Sequence, residues 1–228
     1  MRTFGYPEFL FILEAAKWTL ALSLIAFIGG AVLGLVIALA RTSESKTARG
    51  LAIGFIQIFQ GTPLLLQQIF QGTPLLLQLF LIFFGAPVLG LDINPWVAAG
   101  VALILNSAAF LGEIWRGCIE AIPRGQIEAA HALNLKYTSR MRDVVLPQAF
   151  KIALAPTVGY VVQIIKGTSL AAIIGFTEIT RAGQIINNAT FQPLYVFTTV
   201  ACIYFAICWP LSLLAARMER KRNLALAR

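Results

Sequence analysis

The sequence predicts an all-helical membrane protein, and three observations carry that reading. Of its 228 residues, 58% are hydrophobic and 12% charged, against about 45–50% and ~25% in soluble domains. The apolar residues form continuous uncharged runs of bilayer length, where a barrel would show ~10-residue alternating segments. The basic residues sort to alternate loops between those runs.

A bilayer core about 30 Å thick takes roughly 20 apolar residues per helix. The uncharged runs are 18–40, 51–91, 95–112, 152–176 (interrupted by Lys166) and 194–216. The second, 41 residues long, is too long for one span. We therefore expect five membrane helices, at about 18–40, 68–91, 95–115, 152–176 and 194–216, in one domain spanning 1–228. The first run begins too late and runs too long for a cleaved leader, and no small-residue cleavage site follows it.

Orientation follows from the flanking cations. Fourteen basic residues lie on one side: in the loop after the first span, in the long loop after the third and in the tail. Three, Arg2, Lys17 and Arg181, lie on the other. The N-terminus is expected outside and the C-terminus in the cytoplasm. The +8 charge is then mostly topology, and no nucleic-acid partner is needed to explain it.

Other function classes lack their residues. Cys118, Cys202 and Cys208 lie in or beside spans and suggest neither a disulfide framework nor a zinc site. His131 is the single histidine. There is no Gly-rich phosphate loop. No catalytic constellation, metal site or cofactor is expected. A secondary transporter would carry coupling-ion carboxylates in its spans, and these spans hold almost none.

The cytoplasmic loop GQIEAAHALNLKYTSRMRDVVLPQAFK, 125–151, is the informative stretch. Glu128–Leu135 favours helix, and Asn134 interrupts it. Tyr137–Val145 is expected to form a second short helix, capped near Thr138 or Ser139 and bounded by Pro147. Leu133, Met141 and Val144 would be its apolar contacts. Such a knob implies a cytoplasmic partner.

The spacing E-A-A, three residues, Gly, nine residues, Ile, one residue, Leu-Pro is the signature of permease subunits of bacterial ABC importers. This chain resembles that family with Glu128, Ala129, Ala130, Asn134, Val144, Leu146 and Pro147. Val144 replaces Ile conservatively. Asn134 replaces Gly, and Asn tolerates a left-handed turn next best. Glu14-Ala15-Ala16 reads the same three letters but fails at every downstream position. TPLLLQLF at 73–80, EIWRG at 113–117, IKGTSLA at 165–171, and Thr19, Ser23 and Gly34 with Ala38–Arg41 are similar to the polar amino acid class of histidine, glutamine and arginine permeases.

The resemblance implies a five-span fold in the bacterial inner membrane, with the loop at 125–147 as coupling helices. It implies three partners: a cytoplasmic ATPase dimer, a second permease subunit (identical or a sister) and a periplasmic substrate-binding protein. The ATPase would hydrolyse ATP and move the loop. Glu128 and Arg140 are expected to contact it. Permeases for peptides, metals or phosphonates share the loop, so those substrates stay open.

Lys166 is an expensive ionisable residue within a span. With Thr168 and Ser169 it could meet a substrate carboxylate or brace the bundle, and Gly167 permits a local opening. Glu178 could receive a substrate ammonium or contact the binding protein. Glu113 is expected to pair with Arg116 or a neighbouring arginine. Gly30 and Gly34 form a close-approach step.

QIFQGTPLLLQ occurs at 57–67 and again, unchanged, at 68–78. Eleven residues are about three helical turns, so one copy rotates a helix face by only ~20° while adding ~16 Å. The second copy is expected to enter the membrane as span two. The first would extend a cytoplasmic-side helix from about residue 45. Gly-Thr-Pro should kink or break the helix in each copy, and the competing reading is a longer, kinked span lining the pathway.

Overall fold

A computed structural model describes residues 3–43, 45–60 and 74–226. Its helices are α1 (Tyr6–Thr42), α2 (Lys46–Gln60), α3 (Leu75–Val88), α4 (Pro95–Glu120), α5 (Arg124–Ala132), α6 (Tyr137–Ser139), α7 (Leu146–Gly167), α8 (Ile179–Thr190) and α9 (Pro193–Leu226). A π-helical stretch, Arg140–Val145, joins α6 to α7, and a 3₁₀ stretch, Thr168–Ile174, follows α7. Among the described residues the chain is all-helical.

Among the described residues, four rods are long and apolar enough to cross a membrane: Tyr6–Thr42, Pro95–Glu120, Tyr137–Ile174 and Pro193–Lys221. They contain the expected spans at 18–40, 95–115 and 194–216, and that at 152–176 up to Ile174, where the helix ends on a left-handed Gly175. The expected span at 68–91 appears as α3, 14 residues long; residues 68–73 lie outside the described ones. α1 has 37 residues, about 55 Å at ~1.5 Å each. It overreaches a ~30 Å hydrocarbon core, and Glu8, Glu14 and Lys17 fall in its first turns.

The helices pack closely because small residues face one another. A methyl group on Gly30 would stand 2.5 Å from Ser107 Cβ, and one on Gly34 would stand 3.1 Å from the Ala108 carbonyl. The glycine step therefore seats α1 on α4 within this chain. The start of α4 is fixed by Asn94, whose side chain accepts from Val97 N at 2.9 Å, with Pro95 in the first turn. At that end Trp96 lies between Trp18 and Phe176, with ring centroids 5.8 and 5.0 Å away. The central core joins Leu22 and Ala26 of α1 to Leu79, Leu103, Ile164 and Ala171.

The loop after α4 differs from the expectation. Tyr137–Val145 is not a separate helix ending at Pro147. It is the first part of one rod that runs through α7. Proline lacks an N–H and clashes with the carbonyl four residues back. Here the chain widens just before Pro147, and Leu146 N donates to the Met141 carbonyl, five residues back. A π turn absorbs the proline without breaking the rod.

The first four residues of the repeat, Gln57–Gln60, close α2, which begins at Lys46 as expected. Residues 61–73, including Pro63, lie outside the described ones. Pro74 precedes α3 as its cap residue, so this proline starts a helix instead of kinking one.

Candidate functional site

Two regions hold the residues singled out from sequence: the loop at 124–147 and the opposite end of α7. The loop begins with α5, nine residues long. Ala130 is buried against Met141 and Val145, with Ile119, Ile122 and Ala38 in the same cluster. Glu128, Ala129 and Leu133 face out. Leu133 is 75% exposed and Val144 only half-buried, so Ala130, Met141 and Val145 carry the packing expected of those two.

The end of α5 explains the motif's seventh position. Asn134 sits at φ 53°. Its N–H donates to the His131 carbonyl at 2.8 Å, and Leu135 N donates to the Ala130 carbonyl at 3.1 Å. This pair of bonds is a Schellman cap, which needs a left-handed residue where Asn134 stands. The substitution for Gly leaves the turn intact.

Arg140 is 8% exposed. One guanidinium nitrogen lies 2.6 Å from His131 Nε2, and the group stacks over Tyr137 at 5.4 Å. The Tyr137 hydroxyl reaches the Thr42 carbonyl at 3.5 Å. Arg140 thus ties the two arms of the loop together and Tyr137 ties them to α1. Leu146 is half-buried against the same core, and Pro147 is exposed. Beside the loop, Arg116 Nε donates to Glu113 Oε1 at 2.7 Å, Arg116 also pairs with Glu120, and Arg41 lies 3.8 Å from Glu113. The pairing expected of Glu113 is present and extends to α1.

At the other end of α7, Lys166 is exposed and stands one residue before the helix tightens to 3₁₀ at Gly167–Thr168. Lys166 and Ser169 line a 340 Å³ groove with Tyr204, Phe205, Cys208 and Trp209 of α9. Thr168 is buried and donates to the Ile165 carbonyl at 2.7 Å; Ser169 donates to the Lys166 carbonyl at 2.7 Å. Lys166 therefore brings the charge to this groove, and the two hydroxyls are spent on their own helix.

Glu178 is fully buried and caps α8. Its carboxylate accepts from Thr180 N and Arg181 N, both at 2.9 Å, and from the Tyr204 hydroxyl at 2.7 Å. Burial raises the carboxyl above its ordinary range, against the pull of these donors. Thr19 accepts from Ile179 N at 3.3 Å, so α1, α8 and α9 meet at this cap.

Sequence reasoning passed over a polar chain in the bundle. Gln78 donates to the Phe59 carbonyl at 3.1 Å and accepts from Asn106 Nδ2 at 3.2 Å. The Tyr160 hydroxyl donates to Asn106 Oδ1 at 3.4 Å. Asn106, Tyr160, Gln163 and Ser107 line a 280 Å³ cavity beside Gly167. The signal was available: amide side chains inside uncharged spans are expensive and need partners. The last residue of the second repeat copy is thus bonded to a carbonyl of the first.

Comparisons agree with this architecture. Residues 30–224 match the family described as "Binding-protein-dependent transport system inner membrane component". The chain is 35% identical to the glutamine transport system permease protein GlnP of Escherichia coli (strain K12), over 96% of each chain. It is 34% identical to the probable amino-acid ABC transporter permease protein YckA of Bacillus subtilis (strain 168), covering 94% of this chain and 90% of that one. A crystal structure of an amino acid ABC transporter with histidines superposes with a TM-score of 0.84 at 31% identity, covering 96% of this chain and all of that one. The MetNI methionine ABC transporter shares the fold at a TM-score of 0.75 and 19% identity. Matched by the family over residues 30–224 and by relatives above 30% identity over nearly its whole length, the chain belongs to the binding-protein-dependent transport system inner membrane components.

Proposed function

We propose that this chain is the transmembrane permease of an ABC importer for polar amino acids in a bacterial inner membrane. It crosses five times, with α3 and residues before it as the second span. Its N-terminus is periplasmic; its loop and tail are cytoplasmic. It works with a second permease subunit, an ATPase dimer and a periplasmic binding protein. The ATPase supplies all hydrolysis.

The observation that carries the reading is the continuity of the loop with α7. Glu128, Ala129 and Leu133 present a compact surface to the ATPase, and Asn134 sets the turn between the arms. Arg140 braces the arms from inside, which replaces the ATPase contact expected of it. Leu146 and Pro147 lie where the second arm enters α7. From Tyr137 to Gly167 the rod is about 45 Å long at ~1.5 Å per residue. A push on the loop reaches Lys166 as a rigid-body movement, the physical requirement for coupling two distant sites. Lys166 and the mouth lined by Ser169 and Tyr204 meet the substrate carboxylate. Thr168 and Glu178 hold that end in shape, Glu178 as the cap that joins three helices.

Glu128→Arg tests this. The variant should reach the membrane and keep its fold while losing both ATPase co-purification and ATP-dependent uptake. Full uptake by Glu128→Arg would remove the loop from the coupling path.

A further inference from the structure

A second cavity lies between α1, α4 and α7, away from the polar groove. It holds 530 Å³, well inside the ~300–1,000 Å³ range of ligand sites. Alanines 31, 149 and 153 line it together with Phe27, Trp115 and Phe150. Among the described residues no charged one lines it. Its indole N–H is already spent inside the cavity wall, since Trp115 Nε1 donates to Thr157 Oγ1 at 2.9 Å. A polar solute gains nothing there, whereas an apolar chain does.

Two of the residues around it are open on the outer side of the bundle: Phe150 is 66% exposed and Leu154 37%. The cavity volume is roughly that of one turn of a ~10 Å-wide helix with ~5.4 Å pitch. A flexible apolar chain fits that volume. Lys151 is exposed and stands one turn before Leu154, at the level where α7 leaves the loop. A basic residue beside an interhelical pocket on the cytoplasmic side suits an anionic headgroup, and lysine reaches an interface by extending its stem over apolar surface.

We propose that this cavity binds one acyl chain of an anionic phospholipid from the cytoplasmic leaflet, with its headgroup on Lys151. The leaflet assignment rests on the orientation proposed above. The site also bears on coupling. Ile119 and Leu146 line the cavity and pack in the core that seats Ala130, Met141 and Val145 of the loop. An occupied cavity supports those two side chains from the membrane side; an empty one lets them collapse into it and loosens the loop.

The test is native mass spectrometry of the assembled, detergent-purified transporter after incubation with phosphatidylglycerol or phosphatidylcholine of the same chain length. The intact chain should retain phosphatidylglycerol about fivefold better, the factor one basic residue contributes beside an anionic leaflet. Lys151→Gln should retain the two lipids equally. Ala153→Phe, and independently Ala31→Leu in case the first does not fold, should retain neither while keeping ATPase activity in detergent. Phosphatidylglycerol retained by both filled variants as by the intact chain would overturn the proposal, and so would equal retention of the two lipids by the intact chain. The proposed import function fails separately: lipid retention as described, with no ATP-dependent uptake, would sink that reading and leave the lipid site standing.

Discussion

Asn134 shows how one residue's backbone decides a motif position. A left-handed residue costs L-amino acids roughly 1–2 kcal/mol, least for Gly and then Asn. Asn134→Gly should therefore hold or slightly raise the thermal unfolding midpoint of the purified transporter. Asn134→Val should lower stability by about 1–2 kcal/mol and weaken ATPase binding, read by co-purification. An unchanged midpoint for the valine variant would mean the Schellman cap does not matter. At the far end, Tyr204→Phe removes a donor to the buried Glu178 carboxylate and should cost about 1–3 kcal/mol in the same melt. Asn134's tolerance was legible from its residue type. The burial of Arg140 was not: a charge in a loop reads as solvated until the aromatic ring and the histidine that hold it are placed beside it.

Elements with one dominant signal were legible, and those set by competing signals were not. The long rods follow from uncharged length alone. The glycine step at Gly30 and Gly34 was visible, and its partner α4 was not, because only the fold puts Ser107 and Ala108 opposite. Gly34→Leu should force α1 off α4, costing about 1–3 kcal/mol or more by overpacking, seen as loss of membrane-resident protein. The loop's second arm was misjudged at Pro147. Proline is a boundary signal in ordinary α-helix, but a π turn removes the clash. If the rod from Tyr137 to Gly167 carries the motion, inserting two glycines between Val145 and Leu146 should abolish uptake while ATPase co-purification persists. Uptake at the original rate would show that the loop does not need a stiff connection. The amphipathic α8, between two spans, carries no strong hydropathy signal and went unseen.

At the scale of the molecule, composition and cation placement fixed an all-helical membrane protein before any motif was read. Amide side chains at Gln78 and Asn106 in uncharged spans signalled that partners were needed; which residues those partners are, only packing shows. The duplicated segment meets that chain at Gln78. Removing 68–78 leaves an identical segment in its place, so the shortened chain should keep a glutamine for Asn106. Equal uptake by both chains is expected for an insertion that lengthens the α2–α3 connection; a shifted substrate range would place the repeat at the pathway. The central claim, ATP-driven import, is tested most directly by reconstitution. The permease and its ATPase would be placed in proteoliposomes, with a labelled panel of polar amino acids and the binding protein on one side and ATP on the other. The account predicts accumulation only when ATP faces the loop and the binding protein faces the opposite end. Accumulation driven by an ion gradient without ATP would contradict it.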